Sequence, residues 1–223
     1  MDLKGVILAG GKGTRLYPLT RITNKHLLPI YDRPMVTYAI EALVEAGVRE
    51  LMVVTGGTHA GEFLRLLGNG HEWGIDRLSY AYQERAGGIA EALGLAERFA
   101  QQDRGARILL APIEDSRHLQ HLGVPEFDGG GRVARIVEKP DDPPSSLAVT
   151  GIYFYDADVF EVIPKLEPSG RGELEITDVN NWFIEKGTME YDVLEGFWGD
   201  AGESIDAYYA VNDFVRRHGA NKP

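Results

Sequence analysis

Residues 8–16 read Leu8-Ala9-Gly10-Gly11-Lys12-Gly13-Thr14-Arg15-Leu16, so three glycines and two cations share one turn directly after the apolar run Gly5-Val6-Ile7-Leu8-Ala9. Glycine lets backbone N–H groups approach phosphate oxygens with no Cβ in the way. Turns that follow buried strands are also where open α/β sheets bind ligands. The chemistry that fits is the holding of a phosphorylated ligand. The loop is not a Walker A motif, because Lys12 is followed by Gly13 instead of Ser or Thr. It is also a poor dinucleotide fingerprint, because Gly11-x-Gly13 lacks a third glycine. Lys25 brackets the turn from downstream as Arg15 does from within. A plain strand-to-helix turn with solvated cations is the competing reading.

The composition bears on that choice. The chain has 34 Asp and Glu against 23 Lys and Arg among 223 residues, a net charge of −11 at pH 7. With no run of basic residues, nucleic acid is not an expected partner, since phosphate contacts supply most of that affinity. A small anion must then be met by locally gathered positive charge: single Lys and Arg, backbone N–H groups and a bound cation. There is no cysteine, which excludes disulfides, thiolate metal sites and a cysteine nucleophile and fits a cytoplasmic location. No stretch approaches the ~20 apolar residues of a membrane span, and Met1-Asp2-Leu3-Lys4 does not open a signal peptide. His118 and His121 have no carboxylate or cysteine companion at ligand spacing, so a zinc site is not expected.

The elements that must position the loop read as βαβ units. Strands are expected at Gly5 to Ala9, Glu50 to Thr55 and Leu78 to Tyr82, with helices at Pro34 to Gly47, Gly61 to Leu67 and Ile89 to Ala100. Strands follow at Arg107 to Leu110, Arg132 to Glu138 and Leu147 to Tyr155, then helices at Glu173 to Lys186 and Ser204 to Arg217. The class is α/β. No linker separates independent domains, so one domain over 1–223 is expected, with a nucleotide-binding part at 1–100 and a sugar-phosphate-binding part at 105–223.

Several segments together carry a resemblance. The run Leu8 to Thr20 is followed by Asn24-Lys25-His26-Leu27-Leu28-Pro29-Ile30 and Asp32-Arg33-Pro34-Met35. Next come Tyr82-Gln83, Gly87-Gly88-Ile89-Ala90, Glu138-Lys139-Pro140, Ala148 to Tyr153, Pro168 to Asp178 and Trp198-Gly199-Asp200-Ala201-Gly202. In this order they resemble the sugar-1-phosphate nucleotidylyltransferase family, within it the branch that joins dTTP to glucose 1-phosphate. The resemblance implies a Rossmann-like three-layer nucleotidyltransferase fold with a mixed central sheet and a smaller sugar-binding lobe. It implies dTTP and glucose 1-phosphate as partners, Mg²⁺ as cofactor and a homo-oligomer.

By that resemblance Leu8, Gly10, Gly11, Gly13, Thr14, Gln83 and Gly88 bind the nucleotide, Gln83 reading the base edge through its amide. Arg15 would neutralise the leaving pyrophosphate, and Lys25 would hold the phosphates from the other side. Glu138, Lys139, Gly151, Tyr153 and Arg171 would take the sugar phosphate. Arginine suits phosphate because its planar fork meets the oxygens in pairs. Glu173 and Glu175 offer the alternative that Arg171 belongs to an ordinary surface ion-pair cluster. His26 receives no role.

One feature of the family is missing. The resemblance calls for two metal-binding aspartates, one matched by Asp200 and the other on a strand ending in Leu-Gly-Asp-Asn. Here Glu97 to Arg104 runs straight into Gly105-Ala106-Arg107-Ile108-Leu109-Leu110, so a βα unit on the order of 30 residues is absent. If Ile108-Leu109-Leu110-Ala111-Pro112 stands in for that strand, Ala and Pro replace Gly and Asp. Two readings stay open: Arg107 to Leu110 repairs the sheet, or the native polypeptide carries a further segment at this point.

Overall fold

The computed structural model describes residues 3–85, 87–97, 99 and 105–221. The chain divides into two compact units, one formed by Met1–Ala86 with Gly199–Pro223 and the other by Gly87–Trp198.

In the first unit the elements are β1 (Lys4–Ala9), β2 (Pro29–Ile30), β3 (Arg33–Pro34), α1 (Met35–Glu45), β4 (Glu50–Gly56), α2 (Ala60–Leu67) and β5 (Arg77–Gln83). β1, β4 and β5 form a parallel sheet in that order, with Ala9 level with Thr55 and Thr55 level with Tyr82. The three C-terminal ends thus stand side by side, and the glycine loop leaves from one of them. Val36 and Ile40 on α1 and Phe63 and Leu67 on α2 recur at i, i+4, which brings each pair onto one helix face. They bury against Ile7, Ala9, Leu51 and Val53. Gly47 and Gly68 follow the two helices at φ 92° and 55°, a region that costs other residues strain.

The second unit holds α3 (Ile89–Gly94), β6 (Ala106–Pro112), α4 (Ser116–Leu119), β7 (Gly123–Phe127), β8 (Val133–Glu138), β9 (Leu147–Tyr155), α5 (Val159–Val162), α6 (Ile176–Glu185) and β10 (Met189–Val193). β6 lies between β10, parallel, and β9, antiparallel, which makes this the mixed sheet. β7 and β8 form a hairpin whose turn is tied by Asp128 Oδ1, accepting from the N–H groups of Gly130 and Arg132 at 2.8 and 3.0 Å. On α6, Asn181 accepts from Ile136 N–H (2.7 Å) and donates to its carbonyl (3.0 Å), so a side chain completes β8 as a neighbouring strand would. The chain returns to the first unit through Gly199, and α7 (Ile205–His218) closes it, capped by Ser204 accepting from Ala207 N–H.

The α/β class and its βαβ order are as expected. Several elements differ. The helix from Ile89 stops at Gly94, a poor helix former; Arg98 and Ala100, and the junction Gln101 to Arg104, lie outside the described residues. The helix expected from Glu173 starts at Ile176, because the preceding loop is pinned by Ser169 N–H to Glu173 O (2.9 Å) and Leu174 N–H to Gly87 O (2.9 Å). β7 and β10 were not expected. Pro125 disguises β7, and it is tolerated because β7 pairs with β8 alone in a two-stranded sheet.

Candidate active site

The glycine loop is built by close approach. A Cβ on Gly10 would stand 2.5 Å from Gln83 Oε1, so the side chain from the end of β5 lies directly across Gly10. Gln83 is 7% exposed. Gly13 adopts φ 63°, ψ 32°, and a Cβ there would meet Thr20 Cγ2 at 3.0 Å and Lys25 Cβ at 3.1 Å. Thr20 Oγ1 donates to Gly13 O at 2.7 Å. Gly11 has nothing within 4 Å of its Cβ position and is exposed. The loop is thus tight where it must turn and open where a ligand would approach.

Asn24 and His26, to which sequence reasoning gave no role, brace this arrangement. Asn24 Nδ2 donates to Ala9 O at the end of β1 (2.8 Å), which leaves Oδ1 to accept from His26 N–H (2.9 Å) and from the ring nitrogen Nδ1 (2.9 Å). The imidazole therefore carries its proton on Nδ1. Burial, with Lys25 next to it, lowers the His26 pKa to about 3, so the ring is neutral at physiological pH. The only signal in the sequence was the spacing of Asn24 two residues before His26.

Asp200 follows Gly199 and is half-buried. Its Oδ1 accepts from Gly202 N–H at 2.7 Å. A Cβ on Gly202 would lie 2.9 Å from Lys25 Nζ and 3.1 Å from Asp200 Oδ1, so ammonium and carboxylate reach the same point. Gly10 thus meets Gln83, while Gly13, Lys25, Gly202 and Asp200 are linked by successive contacts, all within the first unit. Arg15 is exposed, in the middle of the 3₁₀ turn Thr14–Leu16. Neither Arg15 nor Lys25 has an ion-pair partner among the described residues, whereas Arg33, Arg107, Arg117, Arg135 and Arg217 all pair with carboxylates. Leu8 is half-buried in β1 and Thr14 is exposed.

The remaining predicted residues fall in the second unit. Glu138 ends β8, with Oε2 accepting from Thr177 Oγ1 at 2.7 Å and Oε1 3.2 Å from Lys139 Nζ. Lys139 holds φ 47°, a conformation rare for residues with a Cβ and concentrated at functional sites. Arg171 Nη2 lies 2.8 Å from Glu175 Oε1, 3.6 Å from Glu138 Oε1 and 3.9 Å from Glu173 Oε2. Ser169 Oγ donates to the same Glu175 oxygen at 2.7 Å. Asp178 has its pKa raised by burial and by Glu175 and Glu138. Burial first, then Glu138, raises the Tyr153 hydroxyl above its ordinary value. Gly151 lies where the β6–β9 register shifts, between Ile108 and Leu110, with Thr150 Oγ1 donating to Leu109 O at 2.9 Å. Gly88, at φ 98°, packs against the Leu174 backbone, so a Cβ there would clash with its carbonyl oxygen and amide nitrogen.

The loop of the first unit therefore presents two cations that have no ion-pair partner among the described residues, and the second unit presents a cationic cluster already shared with carboxylates. The sequence model described as nucleotidyl transferase matches residues 4–113 and 106–218. The chain is 40% identical to a glucose-1-phosphate thymidylyltransferase of an Actinoplanes species, covering 96% of this chain and 78% of that protein. It is 39% identical to one from Neisseria meningitidis, with 94% and 82% covered. A Bacillus anthracis structure described as a glucose-1-phosphate thymidylyltransferase in complex with a sucrose superposes with a TM-score of 0.88 at 40% identity, covering 98% of this chain and 97% of that one. A UDP-glucose pyrophosphorylase structure, 22% identical with a TM-score of 0.82, shares the fold. This chain belongs to the nucleotidyl transferase family.

Proposed function

We propose that the chain transfers the thymidylyl group of dTTP to glucose 1-phosphate, giving dTDP-glucose and pyrophosphate, with both units serving one nucleotidyltransferase domain. The observation that carries this reading is that Arg15 and Lys25, which have no ion-pair partner among the described residues, flank an open glycine loop in a chain of net charge −11. Gln83, laid across Gly10, would offer its amide to a base. The relatives named above supply the choice of thymidine and glucose.

An oxygen of the sugar phosphate attacks the α-phosphorus, and a new P–O bond forms as the bond to the bridging β-phosphate oxygen breaks. Pyrophosphate departs with that electron pair. Two anions must be brought together, so positioning and charge neutralisation do most of the work. Backbone amides of Gly10, Gly11 and Gly13 orient the triphosphate, Arg15 offsets charge on the leaving group, and Lys25 holds the phosphates opposite. In the second unit Arg171 and Lys139 would take the phosphate of the sugar, and Glu138 would accept from its hydroxyls.

Mg²⁺, when bound, neutralises phosphate charge. Asp200 would hold it, since one oxygen is engaged by Gly202 and the other has no hydrogen-bond partner among the described residues. Among the described residues no helix is long and apolar enough to cross a membrane; work in the cytoplasm and a homo-oligomer are part of the proposed reading. Pyrophosphate release from dTTP plus glucose 1-phosphate, compared with UTP and GTP, tests the proposal. Release fastest with dTTP supports it; dTTP binding without turnover would mark a sugar-nucleotide-binding protein instead.

A further inference from the structure

The glycine loop is pinned at both ends from a single downstream segment. Thr20 Oγ1 donates to Gly13 O at 2.7 Å, and Asn24 Nδ2 donates to Ala9 O at 2.8 Å. Both side chains are buried, whereas Arg21 and Ile22 between them are exposed, so the segment is drawn in at the residues that reach the loop. The same two residues bear on Lys25. Asn24 Oδ1 caps the 3₁₀ turn Lys25–Leu27 by accepting from His26 N–H. Thr20 Cγ2 and Lys25 Cβ crowd one point at Gly13, 3.0 and 3.1 Å from where its Cβ would stand.

We propose that Thr20 and Asn24 are positioning residues for the triphosphate: they fix the two ends of the glycine loop and its distance to Lys25. The inference rests on the reading of that loop as the nucleotide site given above. Glycines that admit a phosphate also leave their peptide planes free to turn, and a carbonyl oxygen turned toward an anion repels it where an N–H would attract it. A trans peptide holds its C=O and N–H in opposite directions, so anchoring Gly13 O at Thr20 directs the N–H of Thr14 away from that side. Gly13 itself is left-handed, at φ 63° and ψ 32°, a conformation found in the backbone concavities that bind anions. Asn24 needs both halves of its amide, one donating to the end of β1 and the other accepting from the turn that carries Lys25. A carboxylate could not donate. A loop anchored before the ligand arrives is spared the cost of ordering on binding.

The test is calorimetry of dTTP and of thymidine, each with Mg²⁺, on the full chain. Thr20→Val keeps the shape and loses the donor; it lowers dTTP affinity about tenfold, the scale of one hydrogen bond, and leaves thymidine affinity unchanged. Thr20→Ser returns the hydroxyl and recovers most of the dTTP affinity. Asn24→Ala, folded by circular dichroism, shows the same selective loss as Thr20→Val. Unchanged dTTP binding in Thr20→Val or Asn24→Ala overturns the inference, as do equal losses for dTTP and thymidine, or a Thr20→Ser variant no better than Thr20→Val. Turnover is read separately. A wild-type chain that binds dTTP yet releases no pyrophosphate with glucose 1-phosphate sinks the proposed function, and the ratio of dTTP to thymidine affinity still decides this inference.

Discussion

The glycine loop of the first unit and the Arg171 cluster of the second both gather cations, and they keep them in opposite states. Arg15 and Lys25 have no carboxylate partner among the described residues. Arg171 meets Glu175, Glu138 and Glu173, and Lys139 meets Glu138. A phosphate arriving at the loop gains the field of two cations with little to displace. A phosphate arriving at Arg171 must exchange with carboxylates already there, so the net gain is a difference between similar terms. Nucleotide binding should therefore be strong and salt-sensitive, and sugar-phosphate binding weaker and less so.

The sharpest way to break this contrast is to delete one cation from each region. Arg15→Ala should lower kcat about 10²–10³-fold, the effect of losing a charge-stabilising donor, while circular dichroism stays unchanged. Arg171→Ala should raise KM for glucose 1-phosphate by about 10–100-fold and leave KM for dTTP within a factor of three, because the exchanged carboxylates offset part of the loss. If both variants behaved alike, the difference between the regions would be decorative.

The bracing of the loop makes a pH prediction. His26 has a folded pKa near 3 against an unfolded value of 6.5, so between those limits the unfolded chain binds the extra proton. The stability this group contributes is full above pH 6.5 and is lost as pH falls through that window. Denaturant titration should show at most about 2 kcal/mol lost to this group between pH 7 and pH 5, and His26→Gln should remove that component. A smaller effect separates two glycines of one loop. Gly13→Ala, forced to φ 63° with Thr20 and Lys25 close by, should cost about 1–2 kcal/mol. Gly11→Ala, with open space around it, should leave stability within about 0.5 kcal/mol yet weaken dTTP binding.

Much of this was legible in the sequence because the signals are local. The apolar runs at β1 and β4 are continuous, the pattern of strands buried on both faces, and the glycine loop is contiguous. The Arg171 pairs with Glu173 and Glu175 lie within four residues, so the alternative of an ion-pair cluster was visible too. What escaped needed the third dimension. Glu138 reaches Arg171 and Thr177 from over thirty positions away, Asn24 reaches back to the end of β1, and Pro125 hides β7 from any rule based on β propensity. Gly88, grouped by motif with the nucleotide site, packs against Leu174, a contact that no spacing announces.

Calorimetry of dTTP and of uncharged thymidine against wild type and Arg15→Ala tests the central claim most directly, because it separates the charge of the loop from the fit of the base. The account predicts that dTTP affinity falls at least about tenfold in the variant, while thymidine affinity does not change. Equal losses for both ligands, or none for dTTP, would contradict it.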